Sequence, residues 1–419
     1  MKVGGRIAVP GDKSISHRAL IFGALGEGTS RITGLLDSAD VRSTAGALAS
    51  LGVAVPAVNP TEVVVTGVGP RGLRAASGDL DAGNSGTTTR LVAGALAAHP
   101  FASRVVGDAS LSRRPMGRVA RPLTAMGATF AFEQGDGLPM TITGGALRGL
   151  TWHSDTASAQ VKGALLLAGY CAGVPVEVHE PVLSRDHTER MMRARGVDVR
   201  TDGTVATLVP GAAMKARDVR VPGDPSSAAF FASLAALARG GDLELPGVLA
   251  NPARTGAFRV LDRMGAHVGW EGTEDAGGEP IATLTARPRT LVGTTIEPEE
   301  VPSLIDELPV LACVAARAAG ETRVTGAHEL RVKESDRIAL VVRNLRAVGA
   351  DAEELPDGFV VRGTDRPFAG RVVTEGDHRI AMAFAVLGAA TGGAIEVDDR
   401  ECVGVSYPMF WSDLARACA

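Results

Sequence analysis

One phrase recurs five times along this chain: an apolar helical run closes on glycine, and a strand-forming residue follows. It stands at residues 48–53, 123–128, 192–197, 261–266 and 345–350, with Gly52, Gly127, Gly196, Gly265 and Gly349 spaced 75, 69, 69 and 84 residues apart. Glycine just past a helix end takes the left-handed cap conformation without the penalty of a Cβ. A second phrase precedes each of these: an Ala-rich helix, a short glycine-containing gap and a strand. Its six strands begin at Arg31, Arg104, Val176, Leu243, Arg323 and Ile395. Repetition constrains the fold more tightly than any single element, because each copy must be one supersecondary unit. The units alternate strands and helices, so the class expected is α/β (α+β), built from βαβαββ modules with right-handed crossovers. The sixth copy runs into the C-terminus through Pro408–Leu414, with no room for a closing glycine and strand.

Six modules divide as three and three. Val9–Ser14 and Val221–Ser226 are near-duplicates offset by 212 residues, and each opens a set of three. Two domains are therefore expected, residues 1–11 plus 222–419 and residues 12–221, with the chain crossing twice and the active site in the cleft between them. A length of 419 residues also exceeds what one core usually holds.

Composition narrows the function classes. Aromatic residues make up only 4% of the chain, so its core must come from Ala, Val and Leu in close packing. A net charge of −4 and a pI near 6.1 argue against nucleic acid or an acidic membrane as the main partner. Cys171, Cys313, Cys402 and Cys418 show no C-x-x-C spacing and read as buried thiols of a reducing compartment. No signal peptide or membrane-spanning run is apparent. A cytoplasmic monomer acting on small molecules is expected.

Five lysines stand against 38 arginines among the 43 basic residues. Two of them, Lys13 and Lys333, fall in dense polar segments, 11–18 and 331–337. A lysine kept where arginine is the habit suits a compact ammonium that touches two anions or changes protonation. The polar residues recur at two points of the module. The first is the start of the Ala-rich helix: Lys13, Ser14 and Arg18; Asn84 and Gly86; Ser158, Ala159 and Gln160; Asp224; Asp306 and Glu307; Asp377, His378 and Arg379. The second is the loop after the next strand, with Arg114, Ser184, Arg185, Lys333, Glu334 and Arg337. Helix N-termini attract phosphates and carboxylates. Seven cations brought together (Lys13, Arg18, Arg114, Arg185, Lys333, Arg337 and Arg379) would call for substrates with several negative charges.

Taken singly, these features have plain readings. The Asn84–Thr88 stretch can be a helix cap, Arg113 and Arg114 a solvated face, Asp306 a cap, and His17 and His378 core imidazoles. Arg343 and Arg346 read as surface. No H-E-x-x-H, Walker loop or strand-linked G-x-G-x-x-G is present, so neither a metal nor a cofactor is expected. Asp306, Glu334 and Asp377 could hold Mg²⁺, but the basic residues make metal unnecessary for neutralising phosphate.

Five motifs in order, GDKSISHR at 11–18, GNSGTTTR at 83–90, GDASLSRRPMGR at 107–118, RVKESDR at 331–337 and GDHRIAM at 376–382, resemble those of the 5-enolpyruvylshikimate-3-phosphate synthases. The resemblance spans essentially the whole chain. It implies the enolpyruvyl transferase fold, three modules around a pseudo-threefold axis in each domain, and transfer of enolpyruvyl from phosphoenolpyruvate to the 5-hydroxyl of shikimate 3-phosphate. It further implies that Lys13 touches both substrates. Ser14, Arg18, Ser158, Ala159, Gln160, Ser184, Arg185, Asp306 and Lys333 fall to shikimate 3-phosphate. Gly86, Gln160, Arg114, Arg337 and Arg379 fall to phosphoenolpyruvate, supported by Asn84 and His378. Asp306 matches the group assigned to the 5-hydroxyl proton and Glu334 the group at the methylene carbon. Val405 stands where some members have a lysine, Ala159 where many have Ser, and His187 where part of the family has Tyr. Gly86 implies sensitivity to glyphosate. The sister transferase acting on UDP-N-acetylglucosamine is disfavoured by Ser14 and by the absence of Cys from Ser110–Pro115. A non-catalytic phosphate-ligand binder is disfavoured by Asp306, Lys333 and Glu334. An altered shikimate acceptor stays open.

Overall fold

The computed structural model describes residues 1–419. Contacts divide the chain into a first unit, Met1–Pro10 with Gly223–Glu274 and Pro280–Ala419, and a second unit, Gly11–Pro222 with Asp275–Glu279. Each unit holds three small sheets, and the six strands of the repeated phrase stand in six different ones. Each pairs in parallel with another strand. In the second unit Thr29–Thr33 pairs with Val219–Arg220, Ala102–Val106 with Leu80–Asp81, and Val176–His179 with Leu150–His153. In the first, Gly241–Leu249 pairs with Val3–Arg6, Glu321–Val324 with Thr295–Ile296, and Ala394–Val397 with Ala369–Val372. Five of the six also pair antiparallel with a later strand. The sixth, Ala394–Val397, does not; a 3₁₀ turn, Glu401–Val405, and the helix Phe410–Ala417 follow it.

The near-duplicates at 9–14 and 221–226 mark an exchange. Val3–Arg6 precedes the helix Lys13–Leu25 in the chain, yet pairs with the strand that follows the helix Pro225–Leu237. Val219–Arg220 precedes that second helix, yet pairs with the strand after the first. The sequence offered two crossings; the chain makes an additional excursion at Asp275–Glu279, which groups with the second unit. The buried Glu279 gives the physical reason, lying 2.7 Å from His187 Nδ1. The adjoining Gly278, at φ +99°, sits where a Cβ would come 3.0 Å from the carbonyl oxygen of Arg190. A Gly-Gly pair at 277–278 reads in sequence as an ordinary hairpin tip, so nothing there announced the excursion.

The Ala-rich helices are Lys13–Leu25, Gly86–Ala97 and Ala159–Ala172 in the second unit, with Pro225–Leu237, Leu308–Ala315 and His378–Thr391 in the first. They are buried on nearly every side, as helices apolar all round must be. Small residues replace aromatic bulk as the packing device. At Gly94 a Cβ would stand 2.2 Å from the carbonyl oxygen of Ala164, so two of these helices meet backbone to backbone and their N-termini lie side by side. The outer helices are amphipathic: Gly117–Met126 buries Val119, Leu123 and Met126 and exposes Arg121 and Thr124. All five phrase-ending glycines have positive φ, between 86° and 124°. No helix is long and apolar enough to cross a membrane.

Candidate active site

The polar motifs first serve the helices they open. Asp12 accepts from the Ile15 amide at 2.8 Å, Ser85 from Thr88 at 3.1 Å, Ser158 from Val161 at 3.4 Å, Asp224 from Ser226 at 2.7 Å and Asp377 from Arg379 at 2.9 Å. Such caps satisfy amides that have no partner within the helix. The sixth helix, Leu308–Ala315, is entered instead through a 3₁₀ turn, Ile305–Glu307.

In the second unit Arg18 is the centre. Its side chain is buried, and its hydrogen bonds run to Thr188 Oγ1 at 2.9 Å and to the carbonyls of Ser14 at 3.1 Å and Ala159 at 3.5 Å. None of these partners is an anion. Burial lowers its pKa to about 10, although Glu189 pulls the other way. Lys13 lies 2.5 Å from Asp40. Beneath it His17 joins a chain of hydroxyls, through Thr44 at 2.6 Å and on to Thr88 at 2.6 Å and Ser85 at 2.7 Å. Burial takes His17 down to about 3, opposed by Asp40 and aided by Lys13 and Arg18, so it is neutral at physiological pH.

A second chain links the two neighbouring helix starts. Gln160 donates to Thr87 at 2.9 Å and accepts from Arg90 at 2.6 Å. Arg114 donates to Asn84 at 2.8 Å, and Asn84 to Asp108 at 2.6 Å. Gly86 stands against both guanidiniums: a Cβ there would lie 2.9 Å from Arg90 Nη1 and 3.6 Å from Arg114 Nη1. Ser158 and Ser184 meet on one carboxylate, Glu180. Arg185 is half-buried beside Ser184.

The first unit gathers the rest around Arg337, which is buried. It reaches Asp377 at 2.7 Å, Glu334 at 2.7 Å and Asp306 at 3.3 Å. Burial opposes its charge, but Asp377, Glu334 and Asp306 overcome that and hold the guanidinium above its usual pKa. Lys333 adds a second cation 3.5 Å from Asp306. Arg379 donates to the carbonyl oxygen of Asp306 at 3.0 Å and lies 3.8 Å from Glu307. His378 is buried at the start of its helix.

Several of the seven cations are already matched by carboxylates. Lys13 has Asp40, and Lys333 and Arg337 share Asp306. Sequence reading missed Asp40, Arg90, Glu180, Glu189 and Thr188 as parts of the site. Asp40 was detectable as an acid in the first turn of the helix Ala39–Ser50. Glu189 carries the same signal in the helix His187–Ala194, and Arg90 closes the motif at 83–90; Glu180 and Thr188 carry no local signal. Asp186, His187 and Glu279 place ligand atoms within 4.8 Å of one another. Arg190 already occupies that group, 2.7 Å from Asp186 and 4.0 Å from Glu279, so its charge is met by protein.

Known proteins resemble this chain along its whole length. The family model described as EPSP synthase (3-phosphoshikimate 1-carboxyvinyltransferase) matches residues 1–414. A 3-phosphoshikimate 1-carboxyvinyltransferase of Acidithiobacillus ferrooxidans is 48% identical over 409 residues, covering 98% of this chain and 94% of that one. One from Sulfurihydrogenibium sp. is 46% identical over 421 residues, covering 99% and 97%. Among solved structures, EPSP synthase from Acinetobacter baumannii superposes with a TM-score of 0.89 at 44% identity, covering 99% of this chain and 96% of that one. The enolpyruvyl transferase NikO from Streptomyces tendae, at 18% identity and a TM-score of 0.77 over 99% and 95%, shares the fold. On the full-length family match, relatives near half identity and a capped, arginine-centred site in each unit, the chain belongs to the EPSP synthase family.

Proposed function

We propose that the chain transfers the enolpyruvyl group of phosphoenolpyruvate to the 5-hydroxyl of shikimate 3-phosphate, releasing phosphate, with the residues of the two units divided between the substrates. Shikimate 3-phosphate falls to Lys13, Ser14, Arg18, Ser158, Ala159, Gln160, Ser184 and Arg185, together with Asp306 and Lys333. Phosphoenolpyruvate falls to Lys13, Gly86, Arg114, Gln160, Arg337 and Arg379, with Asn84 and His378 in support. The observation that carries this reading is Arg18. A buried guanidinium whose hydrogen-bond partners are all neutral is costly alone, and an anionic substrate supplies the charge it lacks. The caps at Asp12, Ser85 and Ser158 add support, since they fix three helix starts around it.

The chemistry asks for one proton off and one proton on. The 5-hydroxyl gives its proton to Asp306 as its oxygen bonds to C2 of the enol, while Glu334 delivers a proton to the methylene carbon. The tetrahedral intermediate carries phosphate and carboxylate on one carbon. Fixed ammonium and guanidinium groups stabilise that charge without rearranging at the moment of reaction. Elimination reverses the methylene proton transfer and breaks the bond to phosphate, so no covalent enzyme intermediate is needed. A monomer in the cytoplasm suits these soluble substrates. The test is phosphate release from phosphoenolpyruvate with shikimate 3-phosphate and UDP-N-acetylglucosamine in parallel, with and without EDTA. Release with shikimate 3-phosphate alone, unchanged by EDTA, is expected; release with the sugar nucleotide, or with neither, overturns the reading.

A further inference from the structure

Lys162, the third of the five lysines in chain order, lies near the start of the Ala-rich helix Ala159–Ala172, and the mechanism above does not use it. Its side chain is 2% exposed and lies 2.7 Å from Glu180 and 2.8 Å from Glu189, each 1% exposed. Burial works against its charge, yet Glu189 and Glu180 together raise its pKa above the ordinary value. A buried ion triad is weak evidence for stability in itself, because well-packed apolar residues usually do as well. Its geometry gives a different reason for being there.

Glu180 uses its two oxygens on two different segments. Oε1 accepts from the Ser158 amide at 2.9 Å, at the cap of the helix Ala159–Ala172. Oε2 accepts from the Ser184 hydroxyl at 2.8 Å and the Ser184 amide at 3.4 Å, in the loop after the strand Val176–His179. Lys162 Nζ donates to that same Oε2 at 2.7 Å. One carboxylate therefore sets the spacing between two serines that come from different phrases of the module. The Ser158 oxygen accepts from the Val161 amide, which leaves its hydroxyl hydrogen for a ligand. When an anion arrives, the Ser184 hydroxyl turns its hydrogen to it, while Lys162 and the Ser184 amide still occupy Oε2.

We propose that Glu180, charge-balanced by Lys162, is a positioning residue that holds Ser158 and Ser184 at the spacing needed to grip the phosphate of shikimate 3-phosphate. This rests on the assignment of both serines to that substrate. Glu180→Gln is the direct probe: an amide has one acceptor oxygen, so either the Ser158 or the Ser184 side must face a donor. KM for shikimate 3-phosphate rises about tenfold, and kcat and KM for phosphoenolpyruvate stay within about threefold. Glu180→Asp keeps both oxygens on a shorter arm and gives a smaller rise of the same kind. Glu189→Gln alters the same triad without touching either serine and reaches the site only through the charge of Arg18; it lowers Tm and changes KM for shikimate 3-phosphate by less than Glu180→Gln does. Equal effects of Glu180→Gln and Glu189→Gln on that KM overturn the proposal, as they would mark a general structural role. If Glu180→Gln does not fold, Glu180→Asp decides, and an unchanged KM for shikimate 3-phosphate overturns it. Ser184→Ala separates the two layers. Should it leave that KM unchanged, the underlying assignment fails; should it raise KM while folded Glu180→Gln does not, only the positioning role fails.

Discussion

Arg337 and Asp377 form a fully buried pair, Nε to Oδ2 at 2.7 Å with a second contact from Nη2 to Oδ1 at 3.3 Å. Asp377 also accepts from the Ser335 hydroxyl and caps its own helix through the Arg379 amide. Burial opposes its charge, but Arg337 prevails, and the pKa of Asp377 is depressed. The stability it contributes is therefore present above the unfolded carboxylate value of about 4 and lost as pH falls through the lower folded value. Asp377→Asn keeps the shape and removes the charge. It is expected to cost about 3 kcal/mol at pH 7 and to lose less relative to wild type near pH 3, read by denaturant melts at both pH values. Activity falls with it, because Arg337 turns towards Asp306 and Glu334.

His17 gives a pH dependence in a milder range. Its folded pKa lies near 3 because it is buried, while the unfolded value is about 6.5. The unfolded chain thus binds the extra proton first, and stability is lost as pH falls from about 6.5 towards the folded value. Between pH 7.5 and pH 5 this single group should weaken the wild type by about 2 kcal/mol. His17→Gln keeps a partner for Thr44 and does not titrate, so its stability should be flatter over that range. Parallel pH profiles of the two proteins that coincide would count against the buried neutral imidazole.

Arg18 should separate binding from stability. Arg18→Met removes a buried charge that has no carboxylate partner, together with three hydrogen bonds to neutral groups. The two effects oppose each other, so Tm should change little or rise. KM for shikimate 3-phosphate should rise by about a hundredfold, the loss expected of a buried charge-assisted contact. A variant that loses stability but binds normally would identify Arg18 as structural.

Gly86 is the position where a single methyl group should be felt by one substrate. An alanine Cβ would meet Arg90 Nη1 at 2.9 Å, and Arg90 holds Gln160 and the Pro115 carbonyl. The end of a flexible side chain can yield, so Gly86→Ala should fold with a loss below about 1 kcal/mol. KM for phosphoenolpyruvate should rise, and the glyphosate inhibition expected of the wild type should weaken, both read in the phosphate-release assay. Wild-type activity that withstands millimolar glyphosate would sink the expectation from Gly86.

The repeat made the modules legible because each helix-ending glycine and each β-branched strand is a local signal. Asn84, Asp377 and Arg379 were legible for the same reason, lying in short motifs at helix starts, and Arg114 in the loop motif after a strand. What stayed hidden depends on residues far apart in the chain. Thr188 meets Arg18 across 170 positions, and Glu279 meets His187 across 92. Asp40 and Glu180 supply counter-charges that a count of cations cannot see. Lys162 is one of five lysines, but only its buried partners mark it out.

The repeat also exposes one residue that breaks its own pattern. The position before the helix-ending glycine is Leu51, Met126, Met264 and Val348 in four copies, and Arg195 in the fifth. All five are buried. Nη1 of Arg195 reaches the Met191 carbonyl at 3.4 Å, and its guanidinium carbon lies 5.7 Å from the centre of the Phe22 ring. Nε and Nη2 are buried with no hydrogen-bond partner, and burial lowers the pKa to about 10, with Arg217 adding to the effect. The cation–π contact recovers about 2 kcal/mol, less than the several kcal/mol that an unpaired buried cation costs. Arg195→Met restores the residue type of the other copies at similar length. It should raise stability by about 1–2 kcal/mol, seen as a higher Tm, with kcat and both KM values unchanged because none of the proposed substrate contacts involves Arg195. A fall in Tm would mean that the guanidinium is better satisfied than its two unpaired nitrogens indicate.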